Sequence, residues 1–407
     1  MVTRLDVFLI VGLYPGLSCA ELVNKMGKKQ ATYASVYNLL QKLAKENLVR
    51  ADGGKFFHPD SASASSLFSL VYYCFKNSIS YNRLISEKTA EFVKIGLEKR
   101  KISGLPFKAK TVSGILGHLS KHGFVIIESR KPLECRVVSS RFLERLVEHF
   151  FGKTEIVCPL IVDCIDEQGV NSRLEKEFSA FKKLEKEASS FDEIGFIHSS
   201  LSLEGNTLTL SETKRLIMEN IVPGSKPFKD AQEVLDYKRA LDSFLYSDAP
   251  ISEENILEFH RKAMNWMGPG AGKFRVHNVR IKGNPDFKTP DWKELPPLLN
   301  GFFEFVNNPM PKKTPATKIV EEAAFLHNEF QRIHPFIDGN SRTSRAIFIK
   351  TLIQHGFPLV KIPVGFSGQY MGLTKLSQKR DDKKFALLMK LIVLENLKAM
   401  SRKLEFE

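Results

Sequence analysis

The chain has 407 residues, 43% of them hydrophobic and 26% charged. These are globular proportions that exclude a disordered or fibrous protein, and the length predicts two or three domains. Lysine and arginine number 60 against 46 acidic residues, a net charge of +14. The surplus is uneven, because residues 1–150 hold 23 basic and 12 acidic side chains whereas the rest hold 37 and 34. A polyanion is the expected partner of the N-terminal third. Five cysteines (Cys19, Cys74, Cys135, Cys158 and Cys164), an odd number without a C-x-x-C pair, argue against a disulfide scaffold and a structural zinc site and fit a cytoplasmic location. No apolar run approaches the roughly 18 residues of a membrane span, so no membrane association is expected. Val7–Leu13 before Gly16-Leu17-Ser18-Cys19 imitates an export signal. Asp6 and the Pro15-Gly16 break favour a buried first helix instead.

The basic third reads as helix, turn, helix, helix, hairpin. Arg4–Leu13 is apolar on one face, and Ser18 with Glu21 forms a capping-box pattern for a helix that Gly27 closes. A longer helix is predicted over Tyr33–Glu46, with Val36, Leu39, Leu40 and Leu43 at helical spacing. Leu48–Arg50 and Lys55–Phe57 flank the turn Asp52-Gly53-Gly54. Residues 1–60 resemble a winged helix-turn-helix domain. That resemblance implies DNA binding, with the helix after the turn in the major groove and the wing on phosphate. Lys28, Lys29, Lys42, Lys45, Arg50 and Lys55 are the candidate contacts. Winged helices also dock proteins, and that reading stays open.

A serine-rich stretch, Ser61–Ser66, is the expected linker, and residues 67–150 repeat the pattern. Helices are predicted over Ile79–Ile85, Thr89–Leu97 and Lys110–His122, with strands Phe124–Glu128 and Glu134–Val138 around a second basic wing carrying Arg130 and Lys131. This second winged-helix-like module is alternatively a dimerisation module, and the helix Arg141–Phe150 offers an apolar face for a homodimer. Residues 151–190 are transitional, and the charge-alternating Leu174–Ser189 reads as a solvated spacer helix.

The most informative segment is His334-Pro335-Phe336-Ile337-Asp338-Gly339-Asn340-Ser341-Arg342-Thr343-Ser344-Arg345. Ile319, Ala323, Leu326, Phe330 and Ile333 form the apolar stripe of a helix before it, and Ala346, Ile349, Leu352 and Ile353 that of a helix after it. Pro335 ends the first helix and Asp338-Gly339-Asn340 is turn chemistry. A loop whose N–H groups open a helix is an anion site. Arg342 and Arg345 in the first turn can clamp phosphate oxygens, Asp338 is a hard carboxylate for magnesium, and His334 can take a proton near neutral pH.

This run resembles the Fic family signature H-x-F-x-(D/E)-G-N-G-R-x-x-R, with Ser341 in place of the second glycine. Ser200-Leu201-Ser202-Leu203-Glu204-Gly205-Asn206 resembles the family's inhibitory motif (S/T)-x-x-x-E-(G/N), and Gly272-Lys273-Phe274-Arg275 with Val276–Gly283 resembles its β-hairpin flap. The resemblance spans Phe191 to Phe385 and implies a Fic domain over 191–407. The expected fold is mainly α, an all-helical Fic core with a small β-hairpin flap preceded by two winged-helix modules. Carried onto these residues, it implies AMP transfer from ATP, with Mg²⁺, to a Ser, Thr or Tyr hydroxyl of a protein, the chain itself included. His334 would be the base, Asp338 the metal ligand, and Gly339, Asn340, Ser341, Arg342 and Arg345 the phosphate site. Ser200, Glu204, Gly205 and Asn206 would form the inhibitory segment, Glu204 holding Arg345. Gly272, Lys273, Phe274 and Arg275 would dock the target by strand addition. Tyr370 resembles a nucleotide-contacting tyrosine, whereas Ser377-Gln378 stands where many relatives have an adenine-contacting asparagine, which loosens base preference. If residue 341 requires a positive φ, serine there is strained. The competing readings are a DNA-binding regulator with a nucleotide-sensing Fic-like domain, a Fic enzyme transferring another phosphate-containing group, and removal of AMP.

Overall fold

Capping chemistry sets the first helices. Thr3 and Ser18 each accept the third helical amide, and Asp6 and Glu21 accept the cap's own N–H in return, which fixes the starts of α1 (Arg4–Leu13) and α2 (Cys19–Met26). Thr32 and Ser35 do the same for α3 (Tyr33–Lys45). The computed structural model describes residues 2–27, 31–99, 101–103, 107–153, 159–184, 192–224, 226–281, 284, 286–308, 310–311, 313–374 and 379–404. It divides into two units, Met1–Cys158 and Pro159–Glu407.

In the first unit, β1 (Leu17–Ser18) pairs antiparallel with β3 (Lys55–Phe57), which pairs with β2 (Arg50–Asp52). Gly53 and Gly54, at φ of 53° and 74°, supply the left-handed turn between β2 and β3. The second half contains α4 (Ala62–Lys76), α5 (Tyr81–Leu84), α6 (Glu87–Lys99), β4 (Ile102–Ser103), α7 (Ala109–Lys121), β5 (Val125–Arg130), β6 (Leu133–Val137) and α8 (Arg141–Phe151). Its sheet order, β4-β6-β5, repeats the β1-β3-β2 order of the first half.

Two expectations are corrected here. The serine-rich stretch is no linker: Ser61 caps α4 by accepting from Ala64 N–H at 3.2 Å, and Ala64, Leu67, Leu70 and Val71 are buried behind it. A serine run reads as a flexible tether only when no apolar stripe follows it. The apolar face of α8 (Phe142, Leu143, Leu146, Val147) is likewise buried, within its own unit against α4 and α6. It is therefore not open for a homodimer.

The second unit is helical: α9 (Glu167–Leu184), α10 (Glu193–Ser202), α11 (Leu210–Glu219), α12 (Phe228–Leu245), α13 (Glu253–Ala263), α14 (Leu295–Val306), α15 (Ala316–Ile333), α16 (Asn340–Gln354), α17 (Ser367–Leu373) and α18 (Asp382–Leu404). The expected mainly α fold is observed. Helix α16 lies at its centre, buried on nearly every side from Asn340 to Leu352, and packs against α12 and α15. Helix α9 corrects the solvated spacer. Val170, Leu174 and Phe181 are buried, Phe178 stacks on Phe357 at 3.9 Å, and α9 packs along α18 and α15. The Glu175 carboxylate also caps α15, accepting from Ala316 N–H at 3.1 Å and Thr317 N–H at 2.8 Å. The unit thus begins near residue 159, not 191.

The segment between α13 and α14 was expected to be a β-hairpin flap. Its described residues form no strand ladder. Asn278 donates to Asp291 at 3.0 Å and accepts from Trp292 N–H at 2.9 Å, while the Thr289 hydroxyl donates to Val279 O at 2.8 Å. Side chains, not a backbone ladder, join the two legs. No described helix is long and apolar enough to cross a membrane.

Candidate active site

The loop between α15 and α16 is built from its ends. His334 closes α15 in the left-handed conformation, φ 51°, with its N–H on Phe330 O. A non-glycine residue held there is strained, and such strain is stored mostly at functional sites. His334 Nδ1 lies 3.3 Å from Gln331 O. A carbonyl only accepts, so in this contact Nδ1 is the donor. Asn340, 3% exposed, brackets Phe336 by accepting from its N–H at 2.9 Å and donating to its carbonyl at 2.8 Å. The Asn340 side chain is therefore committed to the loop. Asp338 Oδ1 accepts from Gly339 N–H at 2.6 Å and from Arg342 Nη2 at 3.1 Å, and the side chain stays 52% exposed. Ser341 lies inside α16 and is absent from the positive-φ residues, so the serine is unstrained.

Gly339 sits at φ 82°, and a Cβ there would come within 2.9 Å of His260 Nε2 and of Met264 Cγ. Gly339→Ala is expected to distort the loop and lower the thermal midpoint, as read by calorimetry.

Both arginines are buried and paired. Arg345 donates from Nε to Ser200 Oγ at 2.8 Å, and from Nη2 to Ser200 O at 3.0 Å and to Glu204 Oε1 at 2.8 Å. Burial opposes its charge, but Glu204 and Tyr370 hold its pKa above the ordinary arginine value. Tyr237 Oη lies 3.0 Å from Ser200 Oγ and completes this shell. Arg342 pairs with Glu233, whose other oxygen accepts from Asn206 Nδ2 at 2.9 Å. The segment Ser200–Asn206 is thus joined to both arginines. Sequence reasoning did not select Glu233 or Tyr237, which lie mid-helix on α12 with no local motif.

Tyr370 does not stand at a surface as a nucleotide contact. It is 1% exposed, 2.8 Å from His327 Nε2, and burial pushes its pKa up to about 12. Burial, and then the charges of Arg345 and Arg380, lower His327 to about 3. A histidine kept neutral when folded contributes stability above its unfolded pKa, near 6.5, that is lost progressively as pH falls toward 3. The thermal midpoint is therefore expected to drop between pH 6.5 and 4.5, and less steeply in His327→Gln, as read by calorimetry.

The base of the expected flap is anchored to the loop. Arg275, 2% exposed, donates through its N–H to Pro335 O at 2.8 Å, through Nε to His334 O at 2.8 Å and through Nη2 to Pro290 O at 2.7 Å. Phe274 packs on Phe336 at 5.3 Å. Phe274 and Arg275 thus hold the base of this segment against the loop. His260, also missed in the sequence, is buried against the same loop, and burial lowers its pKa to about 4. Lys28 and Lys29, and likewise Ser377 and Gln378, lie outside the described residues. Lys42, Lys45, Arg50, Lys55, Arg130 and Lys131 are exposed in the first unit.

Residues 250–352 match the Fic/DOC family. The match contains His260, the Gly272–Arg275 segment and the whole loop from His334 to Arg345. Two relatives named protein adenylyltransferase Fic are similar: that of Drosophila persimilis, 29% identical over 218 residues, covering 53% of this chain and 41% of the relative, and that of Drosophila mojavensis, 29% identical over 238 residues, covering 55% and 45%. The chain therefore spans less than half the length of these curated relatives. Among solved structures, residues 134–508 of Fic-1 from C. elegans superpose with a TM-score of 0.51 at 21% identity, covering 59% of this chain and 73% of that one. That likeness concerns the fold, and it agrees with the helical Fic core.

Proposed function

We propose that the chain is an autoinhibited protein adenylyltransferase, moving AMP from ATP to a Ser, Thr or Tyr hydroxyl of a protein and to itself. The observation that carries this reading is the loop: His334 as base, an exposed Asp338 carboxylate and two arginines in the first turns of α16. The acceptor O–H gives its proton to His334 Nε2 as its oxygen attacks the α-phosphorus. The bond to the oxygen bridging to the β-phosphate breaks, and pyrophosphate leaves. Positioning and charge neutralisation supply most of the acceleration in such transfers. Arg342 Nε, buried and without a hydrogen-bond partner among the described residues, supports an anionic acceptor at this site.

Among the described residues no three His, Cys, Asp or Glu side chains converge. Mg²⁺ typically takes one or two carboxylates with substrate phosphates and water, so Asp338 alone fits it. Bound there, Mg²⁺ would supply charge neutralisation of the phosphates. Autoinhibition follows from the pairing of Arg345 with Glu204 and of Arg342 with Glu233, because an internal carboxylate already balances each guanidinium charge that an outer phosphate would engage. Mass spectrometry of the chain incubated with ATP and Mg²⁺ tests the reading. An adenosine monophosphoryl adduct supports it, and a different phosphate-containing adduct, or none even in Glu204→Gly, removes it.

For the first unit we infer two winged-helix modules that bind DNA. The repeated strand order supports this, as do the exposed Lys42 and Lys45 of α3, a helix on which Tyr33 and Tyr37 also stack, exposed, at 6.0 Å. A gel shift on duplex DNA is expected to weaken steeply with salt, log Kd changing by about 0.9 per phosphate contacted for each tenfold in salt. Lys42→Ala with Lys45→Ala should flatten that slope. Absent or salt-insensitive binding would leave these modules as protein-docking elements.

A further inference from the structure

His260 stands on α13, outside the loop that carries the chemistry, yet it touches that loop and the Gly272–Arg275 segment together. Gly272 N–H donates to His260 Nδ1 at 2.9 Å, and His260 Nε2 lies 2.9 Å from the Asp338 carbonyl. An amide N–H only donates and a carbonyl only accepts, so the two contacts require one tautomer: bare Nδ1, protonated Nε2. The ring lies flat on Phe336, centroids 3.7 Å apart and planes 13° from parallel. Two glycines make the approach close. A Cβ on Gly272 would meet Arg261 Cβ at 2.7 Å and Leu257 O at 3.0 Å, and one on Gly339 would meet the imidazole itself.

We propose that His260 is a positioning residue that joins the target-docking segment to the nucleotide loop, setting the Asp338 peptide through Nε2–H and the Gly272 peptide through Nδ1. The inference rests on the transferase reading given above and assigns His260 no contact with substrate. A histidine serving only as core filling would leave its two nitrogens energetically equivalent. A coupling residue gives each nitrogen a separate consequence: Nε2–H governs nucleotide binding, and Nδ1 governs presentation of the acceptor.

Asparagine and glutamine separate the two. In His260→Asn the side-chain oxygen reaches the Nδ1 position and keeps Gly272, while the bond to Asp338 is lost. In His260→Gln the amide reaches the Nε2 position and keeps Asp338, while Gly272 is released. With the full chain carrying Glu204→Gly, His260→Asn is expected to weaken ATP binding by about tenfold, the worth of one well-placed hydrogen bond. His260→Gln is expected to change ATP affinity less than about twofold and to lower self-labelling at saturating ATP by about tenfold. Histidine-selective ¹⁵N spectra at pH 7.5 should show His260 protonated on Nε2 alone.

Parallel loss of both readouts in both variants, in step with thermal stability, would overturn the proposal, as would no change in either or the opposite tautomer. The Glu204→Gly parent and its His334→Ala derivative run alongside. If the parent does not label, the transferase reading fails, and the ATP affinities and the tautomer still decide the role of His260.

Discussion

Replacing Glu204 by glycine is expected to raise self-labelling by at least about tenfold and to lower thermal stability at the same time. Arg345 is buried, and its Nη2 reaches Glu204 Oε1 at 2.8 Å. Breaking a buried pair from one side typically costs about 3–5 kcal/mol because the other charge is left uncompensated. Without Glu204 the arginine keeps its bonds to Ser200 and lacks an anion, which a γ-phosphate can supply. ATP binding should then restore part of the lost stability, since a ligand that binds only the folded state stabilises it. Glu204→Gln, which keeps a hydrogen-bond acceptor and removes the charge, should fall between the two. Labelling by autoradiography and midpoints with and without ATP read both effects. A variant that is less stable but no more active would show Glu204 to be structural.

The second large effect is at His334. General-base catalysis contributes about 10²- to 10⁴-fold, so His334→Ala in the Glu204→Gly background should lose label incorporation by that factor. ATP affinity should stay within about twofold, because the imidazole addresses the acceptor hydroxyl and not the phosphates. Filter-binding kinetics and equilibrium dialysis separate the two quantities. Loss of binding together with rate would point to collapse of the loop, whose φ of 51° at residue 334 alanine does not favour.

Local chemistry made much of this legible in the sequence. The Ser18–Glu21 capping box and the Asp52–Gly54 turn are short-range signals, and the chain follows them. The stripe Ile319, Ala323, Leu326, Phe330, Ile333 is buried throughout. What was misread turned on competing uses of the same residues. Alternating charge on α9 hid the spacing of Val170, Leu174, Phe178 and Phe181, which seats the helix on the second unit. Asn340 looked like a phosphate ligand because a polar loop residue serves a loop equally well, and here it brackets Phe336. Tyr370 was drawn toward the nucleotide although its neighbours bury it. Glu233 and His260 carry no local signal at all, since each meets the loop from more than 70 positions away in sequence. Only the tertiary fold brings their polar atoms to it.

The regulatory reading depends on one geometric fact, that the Ser200–Asn206 segment reaches both arginines. Arg345 is met directly by Ser200 and Glu204, and Arg342 through Glu233 and Asn206. Movement of that segment would therefore change the surroundings of both arginines together.

The most direct measurement compares two labels of ATP on the Glu204→Gly chain, one on the α-phosphate and one on the γ-phosphate. The α-label is expected to become covalently attached and the γ-label not, with attachment abolished in His334→Ala. Retention of the γ-label, or attachment of neither, would contradict the transferase reading.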